Sequence, residues 1–270
     1  MPKVKPIQLY LALGLMLLSA FSLSADITSN AIPATEVDHQ PWQLLLDSYL
    51  KEDTQSNTML FNFAGVTTNS TAQLQGYLKY LANLEPENLG RAEQYAYWVN
   101  LYNALTVSIV LANYPVASIK DIDAGFLDFG PWDETRLTIS GKPVSLDTIE
   151  HEILRPLWND PRTHYALNCA SLGCPQLNAK AFTAANTEEL LNSSASRFIN
   201  NSRGLYFEGE DLVLSSIYDW FKEDFGSNER ELINHLRQFA SPTLNSKLEA
   251  FDGVIRYQYN WALNDSNGKP

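Results

Sequence analysis

The chain has 270 residues, 31 of them acidic and 19 basic, for a formal net charge of −12, and 45% of it is hydrophobic. That charge repels nucleic acid and anionic membrane surfaces, so electrostatic binding to either is excluded. The apolar share and the length are enough for one large core.

The chain opens with Lys3 and Lys5, an apolar run from Ile7 to Leu23, and small residues at Ser22, Ser24 and Ala25. Basic, apolar and small segments in that order predict a signal peptide over residues 1–24 and a secreted or periplasmic mature protein. Its removal leaves 17 basic against 31 acidic residues, a net charge of −14. No later stretch is apolar and long enough to span a bilayer, so no stable membrane insertion is expected after cleavage. Residues 25–41 lack periodicity and read as a linker or irregular arm.

Apolar residues three and four apart predict amphipathic helices over Trp42–Lys51 and Thr71–Leu84, the second with Leu74, Tyr77, Leu78 and Leu81 on one stripe. Arg91–Asn113 is apolar nearly all round and stops before Tyr114-Pro115, which predicts a central buried helix. A hairpin is expected over Arg136–Ile139 and Pro143–Leu146, turning at Ser140-Gly141. A helix capped by Ser145 then runs to Leu154 and is ended by Pro156. His164–Cys169 reads as a short strand and Glu188–Asn200 as a helix capped by Thr187. Leu205–Leu214 reads as a second hairpin around Gly209. Ser215–Phe225 and Glu229–Ala240 follow as helices, Val254–Trp261 alternates like a strand, and residues 264–270 form a polar, frayed tail. The expected fold is α+β: a single, mostly helical domain over residues 42–263, built around a central buried helix with a small β-sheet.

Several strings in order carry a family resemblance: YWVNLYNALT (Tyr97–Thr106), NYPVASIKDI (Asn113–Ile122), SLDTIEHEILRP (Ser145–Pro156) and PRTHYALNCASLGCP (Pro161–Pro175). LSSIYDWFKEDF and YQYNWALN follow the same pattern later in the chain. Together they resemble the domain of unknown function 547 family over most of the chain from Trp42 to Asn264. The resemblance implies one domain and brings no established activity with it.

The two cysteines, Cys169 and Cys174, are separated by four residues that can turn back and bring the sulfurs together. In an oxidising compartment a disulfide is the first reading. The second is that Cys169 is a nucleophile entering a turn, where exposed backbone N–H groups lower its pKa and hold an oxyanion. A redox pair is a minor third reading, because exchange motifs favour two intervening residues.

In a strand, His164 and Asn168 would share a face and Cys169 would point away from both. His151 is then the better base, with Asp147 four residues earlier to orient it, so Cys169, His151 and Asp147 form a candidate triad. Asn100 and Asn103, three apart on the central helix, need buried partners, and with Glu150, Arg155, His164 and Asn168 they complete a candidate polar binding site. Tyr218, Trp220, Tyr257, Tyr259 and Trp261 read as packing aromatics. Zinc wants four soft ligands and is not expected, and no cofactor is implied. The preferred function is a non-catalytic binding or scaffold role with a Cys169/Cys174 disulfide. The alternative is a Cys/His-dependent hydrolase or acyl-transfer enzyme acting on an amide or ester in the cell envelope. The partner in either case is a small molecule, a peptide or an envelope protein, and the sequence does not decide whether the chain is an enzyme.

Overall fold

The chain enters its first helix through Pro41, whose fixed φ suits a first helical turn. In the computed structural model, which describes residues 36–122 and 130–268, α1 spans Gln40–Tyr49 and buries Trp42, Leu45 and Leu46. The expected signal peptide and most of the expected arm lie outside the described residues. The last residues of that arm are packed: Val37 and His39 are buried, and Glu93 Oε1 accepts a hydrogen bond from Val37 N at 2.7 Å. β1 (Leu50–Asp53) and β2 (Thr58–Phe61) then pair antiparallel, Leu50 opposite Phe61. The polar run from Lys51 to Asn57 conceals this hairpin in the sequence, since it offers no apolar alternation.

Thr67 caps α2 (Thr68–Ala82) by accepting from Ser70 N at 3.2 Å, and the predicted stripe of Leu74, Tyr77, Leu78 and Leu81 is buried. α3 spans Arg91–Asn113, as predicted, and is buried on all sides from Tyr95 to Val110. Three of its polar side chains, Glu93, Asn100 and Asn103, hold crossing segments by the backbone. Glu93 takes Val37 N and also Ala184 N, the latter at 3.3 Å. Asn100 donates to Phe182 O at 2.8 Å and accepts from Phe182 N at 3.0 Å. Asn103 donates to Ala166 O at 2.9 Å and accepts from Asn168 N at 2.8 Å. The helix is thus a rail whose polar positions set the depth of three other segments.

β3 (Leu137–Ile139) and β4 (Lys142–Val144) form the predicted hairpin, with Ser140 and Gly141 at φ 49° and 74°, as a tight two-residue turn requires. Ser145 Oγ accepts from Thr148 N at 3.0 Å and starts the next helix, but Thr148–Leu154 winds as a π-helix and not as an α-helix. Its wider winding, with Arg155 N bonded to Glu150 O, carries the chain past Pro156 into α4 (Arg155–Trp158). Pro156 therefore does not end the helix as expected, because the carbonyl its ring would strike in an α-helix is displaced. The stop comes at Asn159, φ 49°.

The strand expected over His164–Cys169 is also absent. α5 (Thr163–Ala166) takes up its first residues, and the chain becomes extended from Leu167. His164 through Asn168 are buried on every side, so their apolar run had no period from which to tell helix from strand. α6 (Thr187–Ile199) begins after Asn186, and Thr187 Oγ1 bonds back to Thr183 O at 2.7 Å instead of capping the helix. β5 (Leu205–Glu208) and β6 (Asp211–Ser215) turn at Gly209, and short helices α7 (Ile217–Trp220) and α8 (Lys222–Phe225) stop at Gly226. α9 (Glu229–Phe239) is followed by α10 (Pro242–Glu249), which starts at the Ser241 cap. β7 (Ile255–Gln258) joins β6 in parallel, Leu212 opposite Ile255. The expected frayed tail is tied down at its start: Asn264 and Asp265 are buried, and Tyr114 OH donates to Asp265 Oδ2 at 2.8 Å.

The architecture is the mostly helical α+β fold expected, with small separate sheets in place of one. Two buried clusters fill it, the larger around α3 and the smaller around β6 and α9. Ala166, Leu167 and Ala170 belong to the first and Tyr165 to the second, so the chain entering the cysteine turn lies along their seam. Among the described residues, no helix is long and apolar enough to cross a membrane.

Truncating Asn100 to Ala leaves the N–H and C=O of Phe182 unpaired in the core. It is expected to cost about 1–3 kcal/mol, read as a loss of several degrees in thermal melting. An unchanged melting temperature would show that this bracket does not support the fold.

Candidate functional site

Between the helical turn at Thr163–Ala166 and Pro175 the chain makes a tight turn that carries both cysteines. Asn168 closes it: its Oδ1 accepts from Ala170 N at 3.0 Å, and its Nδ2 donates to Pro175 O at 2.7 Å. Ala170 has φ 59°, and Cys174 N bonds to Ser171 O at 3.1 Å. The turn is also held from outside. Leu172 N donates to Ala262 O at 2.7 Å and Gly173 N to Asn260 O at 2.8 Å. Arg203 donates to the carbonyls of Leu172 and Cys174. A Cβ at residue 173 would sit 2.8 Å from Asn260 N and 2.9 Å from Tyr259 Cδ2, so only glycine permits this approach.

Inside the turn the two thiols are free. They are neighbours but not at disulfide distance, so the expected bridge is absent and the pair meets through hydrogen bonds: Cys174 Sγ accepts from Cys169 N at 2.9 Å. Cys169 Sγ lies 3.0 Å from Tyr259 OH. Burial alone would raise the Cys169 thiol, but hydrogen bonds from Cys174 and Tyr259 outweigh it and bring the pKa down to about 7. Burial and the neighbouring Cys169 push Cys174 the other way, and burial keeps Tyr259 protonated and able to donate.

A second group forms on the π-helix and the elements facing it. His164 Nε2 is 2.6 Å from Asp224 Oδ2 at the end of α8, and its Nδ1 is 3.5 Å from Glu150 Oε1. Arg155 grips Asp224 through two hydrogen bonds of 2.6 and 3.1 Å and reaches His151 Nδ1 at 3.2 Å. His151 Nε2 is 3.7 Å from Asp147 Oδ1. Phe221 stacks on the His164 ring at 4.3 Å. Burial works against charge on His164, but the hydrogen bonds to Asp224 and Glu150 prevail and raise its pKa. Burial would likewise raise Asp224 and Glu150, and their bonds to His164 hold both below the usual carboxylate range. Asp147, half-buried beside other carboxylates, is raised.

The two groups meet across a cleft of about 270 Å³. Cys169, Cys174, Asp147, Glu150, His151 and His164 line it together with Trp132, Trp220, Phe221, Tyr259 and Trp261. A larger hollow of about 840 Å³ shares only Tyr259 with it and receives neither thiol nor histidine, so the smaller cleft is the chemical site. Among the described residues, no group of three or more His, Cys, Asp or Glu side chains is placed to hold a metal ion.

The predicted residues divide accordingly. Asp147, Glu150, His151, His164 and Cys169 share the cleft, and Arg155 joins them through His151 and Asp224. Asn168 shapes the cysteine turn, while Asn100 and Asn103 bind backbone within the core and do not line the cleft. Cys169 and His151 share no hydrogen bond, and the His151 nitrogens face Arg155 and Asp147, which is not the arrangement of a triad. Nor are the N–H groups of Cys169 and Ala170 exposed for an oxyanion, since Cys174 Sγ and Asn168 Oδ1 occupy them. Sequence reasoning missed Asp224 and Arg203 and took Tyr259 for packing. Their partners lie far along the chain, and no local pattern marks them.

A raised histidine stabilises the fold fully below its ordinary value of 6.5 and loses that contribution as pH climbs through its native pKa. Asp224 and Glu150 run oppositely, contributing above 3.8 and 4.5 and failing as acid passes their lowered native values. The cluster is therefore strongest between about pH 4.5 and 6.5. Melting curves against pH should decline above 6.5 for the parent and flatten on that limb in His164→Gln. Parallel limbs would show that His164 is not held as a cation.

No curated protein and no solved structure matches the chain. Residues 86–199, which include α3, the π-helix and both cysteines but neither Asp224 nor Tyr259, match the family model described as "Protein of unknown function, DUF547". This match supports the resemblance carried by the sequence motifs, and most of the cleft lining comes from the matched span.

Proposed function

We propose that the chain is a cysteine-dependent acyl-transfer enzyme or hydrolase working from Cys169, outside the cytoplasm where its N-terminal leader would send it. The observation that carries this reading is the Cys169 sulfur at the wall of an aromatic cleft, 3.0 Å from Tyr259 OH, where hydrogen bonds lower its pKa. A thiol lowered in this way carries more thiolate at neutral pH than an ordinary one.

The thiolate attacks the carbonyl carbon of an ester, thioester or amide. Tyr259 OH, beside the sulfur, is the donor nearest the developing oxyanion, in place of the occupied backbone N–H groups. His151 lines the same cleft and is the group available to give the leaving group its proton and to take one from water in deacylation. The aromatic walls favour an apolar or aromatic acyl group. A binding role without chemistry competes, and the same occupied N–H groups favour it.

The rate of iodoacetamide reaction at Cys169 against pH, with mass detection of an acyl adduct after exposure to activated aryl esters and thioesters, separates the two. The enzyme reading expects a half-maximal rate near pH 7 and an adduct on Cys169, both lost in Cys169→Ser. A midpoint near 9 with no adduct would leave only the binding role.

A further inference from the structure

We propose that Cys169 and Cys174 are a dithiol site that reduces a hydroperoxide and closes reversibly to an intramolecular disulfide. The proposal rests on the Cys169 thiolate invoked above but needs no acyl chemistry, and it gives Cys174 a role the acyl reaction does not.

The two thiols occupy different positions in one turn. Cys169 is partly exposed and opens on the cleft, whereas Cys174 is 5% exposed and sits behind it with its sulfur on the Cys169 N–H. That division suits a first thiol that meets the oxidant and a second that resolves the product. The opposite pKa shifts of the pair, Cys169 down and Cys174 up, agree with it. With only two cysteines in the chain, no other thiol can resolve Cys169 intramolecularly.

The backbone of the turn is braced, which keeps the two thiols together in one turn. Cys174 N bonds to Ser171 O within the turn, and Leu172 N and Gly173 N bond to Ala262 O and Asn260 O outside it. Arg203 spans the carbonyls of Ser171, Leu172 and Cys174, and no carboxylate pairs with it among the described residues. Its charge therefore faces the turn and favours a thiolate on either sulfur. Four intervening residues, two more than exchange motifs favour, fit because the Asn168 amide and the left-handed Ala170 fold the chain back within them.

The chemistry balances. The Cys169 thiolate attacks the outer oxygen of ROOH, the O–O bond breaks, and RO⁻ takes a proton from solvent and leaves as ROH, so Cys169 becomes a sulfenic acid. The Cys174 sulfur attacks the sulfenic sulfur, gives up its proton and expels hydroxide, which leaves as water. The thiols lose two hydrogens in all, and the hydroperoxide is reduced to alcohol and water. A dithiol supplied from outside reverses the bond by exchange.

The full chain, reduced and then treated with one equivalent of hydrogen peroxide, is to be followed by intact mass and by peptide mapping. Loss of two hydrogens with Cys169 and Cys174 in one cross-linked peptide, restored by dithiothreitol, is the expected result. Cys174→Ala should retain a sulfenic acid at Cys169 that dimedone traps, and Cys169→Ser should form neither product. Sulfenic or sulfinic acid accumulating in the parent chain without a cross-link would overturn the proposal, and that reading depends on no variant folding. Ester turnover measured on the same reduced sample keeps the two ideas apart. A cross-link without turnover defeats the acyl reading and leaves this one standing, and turnover without a cross-link does the reverse.

Discussion

One buried amide sets the position of the reactive end of this molecule. Asn103 lies in the middle of a helix with no solvent face, and it spends both ends of its side chain on the backbone at Ala166 and Asn168. An unpaired amide at that depth would cost a few kcal/mol, so the two segments are held in one register. Asn168 passes the constraint on by bonding across the turn to Ala170 N and Pro175 O. The position of the Cys169 sulfur thus follows from a helix that does not touch the cleft through that amide.

The electrostatics have a similar order. Asp224 and Glu150 flank His164, and Arg155 shares Asp224 with it, so each buried charge has an opposite partner. This holds the His164 imidazole between two carboxylates and raises its pKa, while His151, about a third exposed, lies at the cleft wall between Arg155 and Asp147. Glu150 and His151 come from one helix. They are adjacent in sequence and both line the cleft, yet the first is buried against His164 and the second, more exposed, lies against Arg155.

How much of this is legible in the sequence depends on the range of the interaction. α3 is bounded correctly because an all-round apolar run and Pro115 are local facts, and the Ser140-Gly141 turn announces its hairpin for the same reason. The α10 helix has a local signal too, Ser241 ahead of Pro242, which the reading passed over. Asp224 meets His164 across 60 positions and Tyr259 meets Cys169 across 90, and no pattern within one element reports such a pairing. Burial on every face erased the period that separates helix from strand at His164–Cys169. Asp147, Glu150, His151, His164 and Cys169 line one cleft, but several of their partners lie far along the chain.

The aromatic wall gives the cleft an optical consequence. Trp132, Trp220 and Trp261 are three of the six tryptophans in the chain, and all line the cavity that holds the thiols. Trp220 is 46% exposed and stacks on Trp261 at 5.5 Å, beside the tyrosine that touches Cys169. Half of the indoles of this protein therefore surround one small volume. The intensity and colour of their emission are set by whatever fills that volume and by the charge on the sulfur at its wall, so the protein carries its own fluorescent reporter of occupancy.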